Sequence, residues 1–200
     1  GVSSATISTV FGLLIAIAFV RFSVFKGRLI LSLVASAPLV MPEAVTGLSM
    51  LLLFIAMEIS FGWPSGRGVD TIMIAHATFG MCFAAVVIQT RLRDMDKYLE
   101  EAARDLGGRQ PFVFLSITLP LILPSIIAAW LLSFTLSFDD LVIASFVSGP
   151  GSSTLPIVIF SKIRLGVSPE INAIATLMIL TISIMVLFGS ILILKREDKK

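Results

Sequence analysis

Five apolar stretches, each of membrane-crossing length, constrain this chain more than any other feature. A helix needs about 20 apolar residues to cross roughly 30 Å of hydrocarbon. The stretches run from about Ser3 to Val20, Leu29 to Met57, Thr71 to Gln89, Leu121 to Val147, and Ile171 to Leu194. Only 14% of the residues are charged, against about a quarter in soluble domains, and the mean hydropathy is +1.01. The expected fold class is an all-α polytopic membrane protein. A single cysteine, Cys82, excludes an intramolecular disulfide, and with His76 as the only histidine a Cys/His zinc cluster is excluded too.

The second stretch is long for one span and holds Pro38, Pro42 and Glu43. Either the helix kinks there, or an interfacial segment precedes a helix starting near Pro42; the second reading is favoured, because proline costs little at a first helical position. The chain opens at Gly1 and enters an apolar run with no basic region and cleavage site, so no signal peptide is expected.

The distribution of charge orients the spans. Arg21, Lys26 and Arg28 follow the first; Arg91, Arg93, Lys97, Arg104 and Arg109 follow the third; Lys195, Arg196, Lys199 and Lys200 follow the fifth. These twelve of the 15 basic residues fall on one side, and Arg67, Lys162 and Arg164 on the other. The positive-inside rule makes the twelve cytoplasmic. The C-terminus is then inside and Gly1 outside, an arrangement that suggests a truncated N-terminus and one further span, about six in the intact chain.

The long cytoplasmic loop, about residues 90–119, carries a pattern of its own. Met95, Leu99, Ala102, Ala103 and Leu106 recur at helical spacing and predict an amphipathic helix. Asp94 or Asp96 suits its start and Gly107 its end. A second short helix is expected from about Pro111 to Leu119. A structured amphipathic loop of this kind suggests a docking surface.

Within it, Glu101-Ala102-Ala103, three residues, Gly107, nine residues, then Ile117, Leu119 and Pro120 resembles the EAA signature of binding-protein-dependent ABC importer permeases. The match is complete, and it precedes the penultimate span as in that family. The resemblance implies a type I ABC importer transmembrane domain over residues 1–200. It also implies that Glu101, Ala102, Ala103, Gly107, Ile117, Leu119 and Pro120 belong to a coupling loop that docks on a separate ATPase. The alanines would allow close approach, Gly107 a positive-φ turn, and Glu101 a carboxylate for the partner. The segments Leu136–Gly151, Thr154–Pro156, Ile159–Ser161, Gly166–Ala173, Ala37–Glu43, Thr46–Ser49, Gly62–Pro64 and Ala75-His76 resemble the polyamine-importer branch. Similarity is greater to the putrescine permeases, with the spermidine permeases next.

The resemblance implies an inner-membrane location and four kinds of neighbour: two copies of an ABC ATPase, a second homologous permease, a periplasmic polyamine-binding protein, and lipid. Nucleic acid is not an expected partner. The chain has no Gly-Lys dipeptide and therefore no P-loop, so ATP and Mg would be bound by the ATPase. No catalytic site, metal site or cofactor of the chain's own is expected.

Asp139 and Asp140 stand inside the fourth apolar stretch, where a carboxylate at mid-bilayer costs roughly 2.5–3.5 kcal/mol. Counting from Pro124 places them roughly 22–24 Å along the helix from the cytoplasmic side. Ser133, Ser137, Asp140 and Ser148 would share a helical face, with Asp139 beside Thr135. One reading makes Asp140 line a cation path with the serines and puts Asp139 at its edge. The other is structural: a capped helix break, or pairing with the second permease. Glu43 is a further path candidate, or else a favourable charge at a helix start. His76 reads as a helix–helix hydrogen-bond partner, Trp63 as an interfacial anchor, Trp130 and Cys82 as packing, and Glu58 as solvated. Between Ser148 and Glu170, the run Leu155–Phe160 is too short to span and predicts a re-entrant or interfacial helix, with Lys162 and Arg164 available to acidic groups.

Overall fold

A computed structural model describes residues 1–22, 24–96, 98–165 and 169–197. Lys97, Gly166, Val167, Ser168, Lys199 and Lys200, used above, lie outside them. The described residues form helices α1 (Val2–Arg21), α2 (Arg28–Val40), α3 (Glu43–Phe61), α4 (Val69–Asp94), α5 (Tyr98–Asp105), α6 (Gln110–Val113), α7 (Leu119–Asp139), α8 (Val142–Val147), α9 (Leu155–Leu165) and α10 (Pro169–Glu197). Among these residues, five helical segments are long and apolar enough to cross a membrane: α1, α3, α4, the run Gln110–Asp139, and Asn172–Ile191 of α10.

The second apolar stretch is divided as favoured. Helix α2 ends at Val40, Met41 is extended, and Pro42 precedes the first turn of α3. Proline has no N–H to lose there, and its fixed φ suits a helix start.

Helix α4 is the centre of the bundle. Eleven of its residues are buried, among them Ala75, His76, Gly80, Cys82, Ala84 and Ile88. Helix α1 lies parallel to it along a seam of small side chains. Ser8 Oγ donates to Ala77 O at 3.1 Å, and a Cβ on Gly12 would come within 2.6 Å of Ala84 Cβ. In lipid the hydrophobic effect does not drive helices together, so close backbone approach through small residues must supply the contact. Helix α7 runs antiparallel: Ile122 packs with Leu92 and Ile88 at one end, and Ser133 Oγ donates to Gly80 O at 3.4 Å further along. A second cluster, Phe54, Ala75, Phe79, Ile143 and Val147, joins α3 and α8 to α4. Large apolar side chains such as Leu52, Ile59, Leu180 and Leu187 point outward, as lipid or another membrane subunit requires.

Two expectations need correction. The range from about Pro111 to Leu119, expected as a second short helix, is helical but does not end there: it continues into the span. Helix α6 passes through one π turn, Phe114–Thr118, directly into α7, with Leu119 N–H donating to Phe114 O. Pro120 cannot donate, and a widened turn just before it shifts the hydrogen-bond register instead of ending the helix. Nor is the fourth stretch one span to Val147: α7 stops at Asp139, Asp140 is extended, and α8 begins at Val142. The predicted helix in the outer segment is present as α9.

Candidate functional site

Two regions hold the chemistry, one at each end of the α4–α7 pair. The first is the loop after α4. Asp96 Oδ1 accepts from Tyr98 N–H at 2.9 Å and starts α5. The helix is shorter than its apolar stripe suggested: Met95 is extended beyond the end of α4, and Leu106, 90% exposed, lies past the end of α5. The stop is a Schellman turn. Gly108 N–H donates to Ala103 O at 3.0 Å and Gly107 N–H to Arg104 O at 2.8 Å, with Gly107 at φ +87°. Sequence reasoning found Gly107 and missed Gly108, whose Cβ would stand 2.7 Å from Ala103 O.

Glu101 and Ala102 are exposed and Ala103 half-buried, while Ile117 and Leu119 are half-buried and Pro120 exposed. The EAA residues therefore form the outer face of a helical hairpin, and the Ile-x-Leu-Pro residues its junction with α7. The sequence gives no sign of a second set of residues beneath them. Glu100, one position before Glu101, is buried. Its Oε1 accepts from the Arg21 guanidinium and from Thr118 Oγ1. This carboxylate links α5 to the last residue of α1 and to the foot of α7.

The second region is the break between α7 and α8. Asp140 Oδ1 accepts from Ile143 N–H at 3.2 Å and Oδ2 from Ala144 N–H at 2.7 Å, so Asp140 caps α8. Its Oδ2 also lies 3.0 Å from His76 Nε2, and His76 Nδ1 lies 2.8 Å from Ser137 Oγ. With Asp140 ionised, Nε2–H donates to the carboxylate and, in the neutral ring, Nδ1 accepts from the serine. The side chains of His76 and Asp140 are only 4% and 7% exposed. His76 is thus the interhelical partner that the sequence suggested.

Of the two readings of the aspartates, the capped helix break matches the hydrogen bonds of Asp140, and the open face of serines with Asp140 is not formed. Ser133 and Ser137 are buried against α4, and Ser148 stands past the end of α8. Asp139, assigned to the edge, is the exposed carboxylate of the pair. Thr135 does not reach it; its hydroxyl donates to Leu131 O at 2.9 Å. The helix break explains the exchange: the chain leaves the helical path at Asp140, so a face drawn through Ser137 no longer extends past it. Glu43 is exposed in the first turn of α3, where the helix dipole favours a negative charge. Glu58 and Trp63 are exposed, and Cys82 is buried. Trp130 stacks on Phe134 and donates to Thr6 Oγ1 at 3.1 Å. Lys162 and Arg164 are exposed on α9, with Arg164 lying over the Phe160 ring.

Comparisons with known proteins agree on the class. The family model described as "Binding-protein-dependent transport system inner membrane component" matches residues 8–195. The putrescine transport system permease protein PotI of Escherichia coli is 50% identical over 197 residues, which cover 98% of this chain and 70% of that protein. The spermidine/putrescine transport system permease protein PotC of Haemophilus influenzae is 41% identical over 185 residues, 92% of this chain and 69% of that protein. A chain from a solved structure of the MetNI methionine ABC transporter, in an inward-facing conformation, superposes with a TM-score of 0.70 at 15% identity over 98% of this chain and 92% of that one. That likeness concerns the fold.

Proposed function

Because the chain belongs to the family of binding-protein-dependent transport system inner membrane components, we propose that it is the permease subunit of an ATP-driven importer whose substrate is a polyamine, putrescine foremost. The observation that carries the coupling role is the Gly107–Gly108-turned hairpin. It presents Glu101 and Ala102 outward at the end of the bundle where Arg21, Arg91, Arg93 and Arg104 collect. In this reading that end is cytoplasmic, the hairpin docks on one of two ATPase copies, and ATP and Mg are held there. The C-terminus lies on the same side.

Putrescine is favoured because half the aligned residues are shared with a protein named for putrescine transport. A second permease would complete the path, and a periplasmic binding protein would deliver the polyamine. A polyamine is a flexible chain of separated ammonium groups. Exposed carboxylates such as Asp139 and Glu43 can attract it without the dehydrated grip that would arrest passage. Buried Asp140, Ser133 and Ser137 instead hold the frame beside the path.

The test is uptake of labelled putrescine by the full-length protein, co-expressed with its ATPase, second permease and binding protein. Spermidine serves as competitor and an ATPase-dead partner as control. ATP-dependent putrescine uptake supports the proposal. ATP-dependent uptake of another solute only would keep the permease and discard the polyamine. Uptake indifferent to the dead ATPase would overturn the coupling role.

A further inference from the structure

A carboxylate taken out of water must be paired and hydrogen-bonded or it destabilises the fold. Glu100 satisfies that rule in an unusual place. It is 8% exposed, although α5 lies at an end of the bundle and its neighbour Glu101 is exposed. One of its oxygens accepts from both the Arg21 guanidinium and the Thr118 hydroxyl, and its backbone carbonyl accepts from Arg104 Nε at 3.3 Å. Arg21 ends α1, and Thr118 closes the π turn under α7.

A cleft of about 530 Å³ opens beside this contact, between the end of α1 and the loop, lined by Ile17, Arg21, Glu100, Arg104, Phe114 and Thr118 among others. Along it, a displacement of α5 can be absorbed by empty space. A charged, directional bond at the cleft wall opposes that.

We infer that Glu100 is a positioning residue: its carboxylate clamps α5 to α1 and to the foot of α7, so that movement imposed on the exposed Glu101 face is passed into the bundle. This rests on the permease reading above and adds a role one residue away from the signature glutamate. Glu101 would grip the ATPase, and Glu100 would hold the permease to its own loop.

The test uses the assembled importer in proteoliposomes with its binding protein, reading ATPase co-purification and putrescine taken up per ATP hydrolysed. Glu100→Leu is expected to keep the ATPase bound while uptake per ATP falls at least about fivefold, the lower end of ordinary coupling effects. Glu100→Gln, which keeps an acceptor oxygen but loses the charge, should fall between it and wild type. If the leucine variant does not reach the membrane, the glutamine variant carries the comparison. Because one bond is shared, the Arg21→Gln, Glu100→Gln double variant should be no worse than the worse single variant. Wild-type uptake per ATP in both Glu100 variants, loss of the ATPase from both, or additive losses in the double variant would each overturn the clamp while leaving the permease reading intact. A wild-type complex without ATP-driven uptake would overturn that reading, and the clamp with it.

Discussion

His76 Nε2 on α4 and Asp140 Oδ2 in the break between α7 and α8, 64 positions apart in sequence, lie 3.0 Å from each other. The contact combines two duties in one carboxylate, since the same Asp140 side chain caps α8. Leaving a buried donor unpaired costs about 1–3 kcal/mol, and losing a cap about 0.5–2 kcal/mol. Asp140→Ala should therefore be strongly destabilising, and Asp140→Asn, which keeps an acceptor oxygen for Ile143 N–H, less so. Thermal unfolding in detergent checks the order; equal melting temperatures for the two variants would remove the capping role.

Asp139 should behave oppositely to its neighbour. Asp139→Asn is expected to leave the amount of protein in the membrane unchanged while weakening apparent putrescine affinity by up to about fivefold, the scale of one exposed ion pair. Uptake kinetics and immunoblotting, run side by side with Asp140→Asn, separate the two residues. Wild-type kinetics in the Asp139→Asn protein would take this carboxylate off the path.

The Gly107 turn gives a graded series. At φ +87° an L-residue pays about 1–2 kcal/mol, asparagine least and β-branched residues most. No atom stands within 4 Å of a Cβ there, so the penalty is conformational only. ATPase co-purification should decline in the order Gly107, Gly107→Asn, Gly107→Ala, Gly107→Val. An unordered series would mean that the hairpin turn does not govern docking.

At the α1–α4 seam the penalty is steric. Gly12→Ala places its methyl 2.6 Å from Ala84 Cβ and 2.9 Å from Ala85 N, and overpacking of this kind costs about 1–3 kcal/mol. Adding Ala84→Gly should recover part of the lost melting temperature, because the nearest clash is then gone. No recovery would locate the strain at the α4 backbone, at Ala85 N and Met81 O.

Much of this architecture is legible in the sequence because lipid imposes long apolar helices, and because Glu101, Gly107 and Pro120 stand at fixed spacings in one loop. What stays hidden depends on partners far along the chain. Nothing near Glu100 announces that Arg21, 79 residues earlier, will bury it, so two adjacent glutamates look alike. The break at Asp140 is legible only as one of two readings of the paired aspartates, because the residues after it, Leu141 to Val147, are as apolar as a continuing span and no glycine or proline marks the stop. The helix through Pro120 misleads in the opposite direction, since proline normally reads as an end and a single π turn accommodates it. His76 was readable because a lone imidazole among apolar residues must find a hydrogen bond somewhere in the bundle.

The uninterrupted helical run from Gln110 to Asp139 spans 30 residues, a length of about 45 Å. It begins inside the hairpin and ends at the residue next to the His76–Asp140 contact, so the hairpin and the far break are joined by one continuous helical path, with the π turn and Pro124 as the places where it can flex. A tilt of α7 by a few degrees about its foot becomes an ångström-scale shift at the break. On the proposed reading, motion at the hairpin would reach the opposite face along the backbone of one helix, with the small-residue packing around Gly80 as the point on which it turns.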